Sequence, residues 1–207
     1  MKTFALALTL PLASVLAFSA PAFAKIATGS TVSDMAVVDS NGVTHNLSDF
    51  EGQRVILEWT NEGCPYVKKH YKSNNMQALQ REATASETET VWLSVISSAP
   101  GKQGHKDGNG ANQTVERYAA APTAVILDEE GTMGRAFSAR TTPHMYIIDA
   151  DQTLVYQGAI DDNSSSSVAS IDGATNYVRA ALADLDAGRA VATTDTQPYG
   201  CSVKYAS

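Results

Sequence analysis

The sequence predicts an α/β protein in which a central mixed β-sheet is covered by helices on both faces. Two apolar, β-branched runs, Val55-Ile56-Leu57 and Val91-Trp92-Leu93-Ser94-Val95-Ile96, read as core strands on either side of a helical segment. A later pair, Met145-Tyr146-Ile147-Ile148-Asp149 and Thr153–Gly158, folds about Ala150-Asp151-Gln152 as a hairpin. The order β-β-β-α-β-α-β-α-β-β-α therefore mixes βαβ crossovers with a terminal hairpin, and such a sheet needs helices on both sides.

The first residues read as an export signal. Lys2 supplies the positive start, Phe4 to Phe18 is apolar but broken by Pro11, and Ala22-Phe23-Ala24 is a small-residue cleavage site. Lys25 is the expected mature N-terminus, and the absence of a cysteine after the apolar run argues against lipid attachment there. Nothing after residue 25 approaches a membrane-spanning length, so a soluble exported protein, most simply periplasmic, is expected. Residues 1–24 form the signal, 25–187 one domain and 188–207 a C-terminal tail. The 183 residues that remain suffice for a single core, with no second domain and no internal repeat. Formal charge moves from −7 to −8 on processing, and no basic stripe is present, which excludes nucleic acid as an expected partner.

Within the domain, Met35–Asp39 and Val43–His45 flank Ser40-Asn41-Gly42, a hairpin signal. Leu47–Gly52 reads as a turn before the strand Arg54–Trp59. A helix is expected from Pro65 to about Ala83, ended by the polar run Ala85–Thr90. Pro100–Gly110 carries four glycines and reads as a loop, long enough for a lid or a contact segment. Asn112 or Thr114 is expected to cap a short helix through Ala120; Thr123–Leu127 is a strand and Thr132–Ala139 a short helix. Ser164–Ser167 reads as a spacer. Ile171, Val178, Leu182 and Leu185 recur near the helical period and predict a helix over Ala169–Ala187, ended by Gly188.

The chemistry concentrates in Glu58-Trp59-Thr60-Asn61-Glu62-Gly63-Cys64-Pro65-Tyr66-Val67. Pro65 fits the first position of a helix, where its missing N–H costs nothing, so Cys64 falls at the N-cap. Free backbone N–H groups and the positive dipole end favour thiolate there, and Lys68, Lys69 and His70 are expected to push the same way. In such sheets reactive groups lie beyond the carboxyl ends of strands, which is where Cys64 stands. Glu62 is a proton acceptor for this thiol or a like charge that raises its pKa. The second cysteine, Cys201, follows 137 positions later in Pro198-Tyr199-Gly200-Cys201. The pair is either a structural bridge or a redox pair that opens and closes, and the setting of Cys64 favours the latter.

These residues, with Thr142-Pro143 before the strand Met145–Asp149, resemble the thioredoxin superfamily, and within it the redoxin (AhpC/TSA-type) peroxiredoxin-like branch. The resemblance covers about residues 30–187. Gly134-Arg135-Ala136-Phe137, Arg140-Thr141-Thr142-Pro143 and the tail Gly200-Cys201-Ser202-Val203-Lys204-Tyr205 sharpen it toward an exported bacterial group. It implies a thioredoxin-like fold and a cis Thr142–Pro143 bond whose backbone faces Cys64. It also implies substrate contacts at Pro65, Thr142 and Pro143 and a peroxide-polarising role for Arg140. The chain departs from the superfamily in two places. Val67 stands where a vicinal second cysteine would be, and Asn61 takes the position of the usual peroxiredoxin threonine, with Thr60 one residue earlier.

The leading expectation is a thiol peroxidase: Cys64 as nucleophile, Cys201 on a mobile tail as resolving thiol, with Thr60 and Arg140 at the site. A thioredoxin-like or membrane thiol donor would reset the disulfide. The alternatives are a thiol–disulfide oxidoreductase acting on protein substrates, a copper-binding domain using Cys64 and His144, and a non-catalytic domain with a structural Cys64–Cys201 bond. No cofactor and no resident metal are implied by the leading reading. His45 and His105 read as solvated.

Overall fold

The computed structural model describes residues 26–206 apart from Glu87. The expected export signal and Lys25 lie outside them.

Five strands form the sheet: β3 (Arg54–Trp59), β4 (Thr90–Ile96), β5 (Ala124–Leu127), β7 (His144–Ile148) and β8 (Leu154–Gly158), in the order β5-β4-β3-β7-β8. β3 pairs parallel with β4, and β4 parallel with β5. β7 runs antiparallel to both β3 and β8. The mixed sheet expected from the element order is the one observed. β1 (Ala36–Val38) and β2 (Thr44–Asn46) make the N-terminal hairpin, turned at Gly42 with φ +79°.

Alternation along the central strand divides the core. Val55, Leu57 and Trp59 of β3 point into one layer with Val91, Leu93, Val95, Tyr146 and Ile148, closed by Met133, Ala136 and Phe137 of α4 (Thr132–Ala136) and its C-cap. Ile56 points the other way, into Trp92, Met145, Ile147 and Tyr156, covered by α2 (Asn75–Thr84) and α5 (Tyr177–Asp186). Glu58 shares the Ile56 side and is fully buried there. Among the described residues, no helix is long and apolar enough to cross a membrane.

Four expectations about helices and the tail need correction. The helix after Cys64 is two helices, α1 (Pro65–Lys72) and α2, because Asn74 adopts the left-handed conformation at φ 59° and reverses the backbone. Asn is among the few side chains that tolerate this. α3 (Gly108–Tyr118) begins inside the glycine-rich segment: Asp107, and neither Asn112 nor Thr114, is its cap, accepting from the Gly110 N–H at 2.7 Å. α5 starts at Tyr177, capped by Asn176 through the Arg179 N–H, because Gly173 at φ +76° breaks the backbone after a short 3₁₀ turn at Val168–Ser170. The tail expected to be mobile is docked. Thr194 and Thr196 hydrogen-bond along β8, and Cys201–Ser202 forms β9, antiparallel to β6 (Thr141–Thr142).

Candidate active site

β3 ends at Trp59, and the next residues make the turn that presents Cys64. Asn61 is buried and shapes it: its side-chain oxygen accepts the Gly63 N–H at 2.8 Å and its carbonyl accepts the Cys64 N–H at 2.9 Å. An asparagine closing onto the backbone two residues on is a compact turn that glycine completes. The side-chain amide of Asn61 also donates to the Gln103 carbonyl at 3.1 Å. The glycine-rich segment is thereby pinned against the cysteine turn. Gly104, at φ +88°, approaches so closely that a Cβ there would lie 2.4 Å from the Asn61 side chain.

Cys64 is the N-cap of α1, with extended backbone (φ −77°, ψ 127°), and Pro65 occupies the first helical turn, exposed. The Cys64 side chain is buried, and its thiol donates to the Thr142 carbonyl at 3.1 Å. The Thr142–Pro143 bond is cis, as the resemblance implied. β6 and β9 place Thr142 directly opposite Cys201. Nucleophile, cis-proline turn and tail cysteine therefore meet at one point, the end of the sheet from which β3 emerges into α1.

The electrostatics of the two sulfurs diverge. Burial raises the Cys64 pKa, but the Cys201 thiol, the Val67 N–H, the Cys201 N–H and the Thr142 side chain together outweigh it, and Cys64 ends below the ordinary thiol value. Cys201 is pushed up to about 11, by burial first and then by the neighbouring Cys64 sulfur. Both are free thiols. The helix-start contribution expected at Cys64 is present in the Val67 N–H. The basic residues act elsewhere: Lys69 and His70 are buried against Asp161, at 3.6 and 3.9 Å. His70 is pushed down to about 3 by burial and by the Lys69 charge, so it is neutral.

Glu62 is not a free base. Its carboxylate is paired with Lys106 at 2.7 Å and with Arg117, and it accepts from Thr114 at 3.3 Å. Burial raises its pKa, and the two cations more than reverse this. Thr60 donates its N–H to the Val95 carbonyl at 3.0 Å and lines a small, largely apolar cavity with Val67, Tyr71, Ser94 and Val125. Arg140 is exposed; its N–H donates to His144 Nδ1 at 3.3 Å and its carbonyl accepts the Val203 N–H at 3.0 Å. No hydrogen bond joins Thr60 or Arg140 to Cys64 among the described residues, whereas Pro65, Thr142, Pro143 and Cys201 are brought to it. His144 is buried beside Pro143, with Nδ1 also 3.0 Å from Tyr146 Oη; burial and the Arg140 charge push it down to about 3, leaving a neutral ring. His45 and His105, expected to be solvated, each face a carboxylate, Asp39 at 3.0 Å and Glu129 at 2.9 Å.

Two residues of the site have roles that the sequence reading does not assign, although both stand in its motifs. Asn61 was legible in principle, since Asn-x-Gly before a helix cap is a turn signature. Gly200 was not. At φ +136° it passes so close to Thr142 that a Cβ there would lie 2.1 Å from the Thr142 carbonyl oxygen, a constraint that only the docked tail reveals.

Comparison with known proteins agrees with this architecture. An uncharacterized conserved protein from Geobacillus kaustophilus superposes with TM-score 0.75 at 22% identity, over 87% of this chain and 93% of its own. A hypothetical protein from Sinorhizobium meliloti 1021 gives 0.71 at 21%, over 89% and 97%. Peroxidoxin BcpB from Mycobacterium tuberculosis gives 0.55 at 19%, over 79% and 99%. No curated protein matches the sequence. The family description AhpC/TSA matches residues 28–157, which span β1 to β8 with the cysteine turn and the cis-proline turn. With most of its domain covered by that match and a thioredoxin-like sheet beneath it, the chain belongs to the AhpC/TSA family.

Proposed function

We propose that the protein is an exported thiol-dependent peroxidase in which Cys64 is oxidised and Cys201 resolves it. The observation that carries this reading is the seat of Cys201. The tail itself pairs with the Thr141–Thr142 edge, and the Cys201 thiol lies beside the Cys64 sulfur. The edge on which an extended protein substrate would have to pair is therefore taken by the chain's own cysteine, which favours intramolecular resolution over exchange with protein disulfides.

The Cys64 thiolate attacks one peroxide oxygen. The O–O bond breaks, the departing alkoxide or hydroxide takes up a proton, and Cys64 becomes a sulfenic acid. Cys201 gives up its proton and, as thiolate, attacks the Cys64 sulfur; the S–O bond breaks, the leaving hydroxide takes up that proton as water, and the Cys64–Cys201 disulfide forms. An external dithiol, of thioredoxin-like or membrane origin, supplies two electrons by exchange, becomes a disulfide itself and returns both cysteines to thiols. Pro65, exposed at the start of α1, is the surface that substrate and reductant meet, since Thr142 and Pro143 are buried and the Thr141–Thr142 edge is taken by the tail. Export to a bacterial periplasm is part of the proposal, supported by the signal-like residues 1–24.

The test is a thiol count and mass measurement on reduced mature protein given one equivalent of hydrogen peroxide. Rapid loss of both thiols as one intramolecular disulfide is expected, with a sulfenic acid trapped at Cys64 in Cys201→Ser and no turnover in Cys64→Ser. Oxidation no faster than that of free cysteine, or turnover surviving Cys64→Ser, would overturn the reading.

A further inference from the structure

β9 is two residues long, too short to set its own register, so the position of Cys201 must be fixed by what flanks it. On the far side Tyr205 sits in a notch left by Gly131 and Gly134, where a Cβ at either would lie 2.5 and 2.3 Å from it. Its hydroxyl donates to the Ala139 carbonyl at 2.8 Å. The notch ties the tail to α4, and the hydrogen bond ties it to the segment that follows that helix. On the near side Tyr199, two residues before Cys201, enters a buried charged cluster. Its hydroxyl donates to the Asp161 carboxylate and lies 3.3 Å from His70 Nε2. Asp161, Lys69 and His70 are 2%, 1% and 0% exposed.

The proton assignments in this cluster follow from its neighbours. Asn75 turns its oxygen to Arg179 and its amide to His70 Nδ1, at 3.2 and 2.8 Å, so Nδ1 accepts and the neutral ring carries its proton on Nε2. His70 Nε2–H then donates to the Tyr199 oxygen while the Tyr199 O–H donates to Asp161, whose charge Lys69 balances. The Lys69 ammonium lies 5.0 Å over the Tyr199 ring, and Tyr66 packs edge-on against it at 5.8 Å. Tyr66, Lys69 and His70 all belong to α1, the helix that Cys64 caps. Tyr199 thus ties the strand of one cysteine to the helix of the other.

We propose that Tyr199 is a positioning residue for the second step of the reaction: it holds the Cys201 thiol in register with Cys64 by docking into the Lys69–His70–Asp161 cluster. The inference rests on the assignment of Cys201 as the resolving thiol. No residue of the cluster takes part in the peroxide step, and a buried ion pair is by itself weak evidence for a role in stability.

The test uses the mature full-length chain as wild type, Tyr199→Phe and Tyr199→Ala. Each is equilibrated with glutathione and its disulfide, so that protein dithiol and glutathione disulfide exchange to protein disulfide and two glutathiones; the effective concentration of Cys201 toward Cys64 is read by mass. Tyr199→Phe keeps the ring and removes only the hydroxyl. It is expected to lower the effective concentration about tenfold, the size of a lost hydrogen bond to a charged group, and Tyr199→Ala more. In parallel, rising peroxide should drive more Cys64 to sulfinic acid in both variants, because resolution is slower. Effective concentrations within twofold of wild type would overturn the latch; should Tyr199→Ala fail to fold, Tyr199→Phe decides. A wild type that forms no Cys64–Cys201 disulfide would instead overturn the assignment of Cys201, and the latch with it.

Discussion

Thr142 and Cys201 stand directly opposite each other in the antiparallel β6–β9 pair, and the carbonyl of the same Thr142 accepts the Cys64 thiol at 3.1 Å. One backbone unit therefore touches both cysteines, and Gly200 is what lets the tail come so near. In Gly200→Ala the added Cβ would meet the Thr142 oxygen at 2.1 Å from a backbone at φ +136° that alanine resists. The expected outcome is an unseated β9, faster alkylation of Cys201 and slower disulfide closure, with a stability loss of about 1–3 kcal/mol. Unchanged Cys201 alkylation in the variant would show that the tail is not held by this contact.

The two thiols should titrate far apart. Cys64 lies below the ordinary thiol value of 9.0, while Cys201 is raised to about 11. Site-resolved alkylation with iodoacetamide, followed by mass across pH 6 to 11, should show Cys64 reacting at the lower pH. In Cys201→Ala the Cys64 profile should move upward, because the neighbouring thiol that stabilises its thiolate is gone. A profile that does not move would locate the stabilisation in the Val67 and Cys201 N–H groups and the Thr142 side chain.

The glycine-rich segment is part of the site by packing. Gly104→Ala would drive its Cβ into Asn61 from a backbone at φ +88°, and Asn61 would lose its hold on the Gly63 N–H. A destabilisation of about 1–3 kcal/mol is expected, together with a lower Cys64 alkylation rate at pH 7. Gly101, also at positive φ but with open space around it, serves as the control for backbone strain alone. Equal effects of Gly101→Ala and Gly104→Ala on the thiol would mean that backbone strain, and not the Asn61 contact, acts on Cys64.

What the sequence made legible was local. The strand Arg54–Trp59 has the bounds read from its apolar run, and Cys-Pro placed the nucleophile at a helix N-cap because Pro65 and the cap are neighbours in the chain. What it concealed depends on distant residues or on single backbone angles. Ser73-Asn74-Asn75 carries polar residues that a helix also tolerates, and only the left-handed Asn74 divides α1 from α2. Glycines in the first turn of α3 hid a helix whose real signal was Asp107. Lys68, Lys69 and His70 stood beside Cys64 in sequence and promised a positive field. Yet the helix turns Lys69 and His70 toward Asp161, ninety-odd positions away, and the tail with Tyr199 packs over them. A docked tail without periodicity leaves no pattern to read, since its partners come from every other part of the fold.

Glu58 is fully buried on the strand that leads to the cysteine turn. Tyr71 donates to one carboxylate oxygen at 2.8 Å; Trp92, Ser94 and Gln80 donate to the other at 2.9, 3.1 and 3.2 Å. Burial raises its pKa above the ordinary 4.5, and these four donors offset only part of the rise. Between 4.5 and the raised value the unfolded chain has released a proton that the folded chain still holds. Stability therefore falls as pH rises through that window, by about 1.4 kcal/mol for each unit of displacement, and is level on either side. Glu58→Gln keeps an acceptor for Trp92 and Ser94, can turn its amide to the Tyr71 oxygen, and has no proton to exchange. His70 and His144, both held near 3, act in the opposite sense: the unfolded chain takes up protons below 6.5, so stability falls as pH drops from there toward 3. Those histidines are common to both proteins and cancel in the difference. Urea unfolding at intervals from pH 4.5 to 8 should therefore show the variant gaining on the wild type as pH rises. Parallel curves would mean that Glu58 is ionised in the fold and that its four donors, together, outweigh its burial.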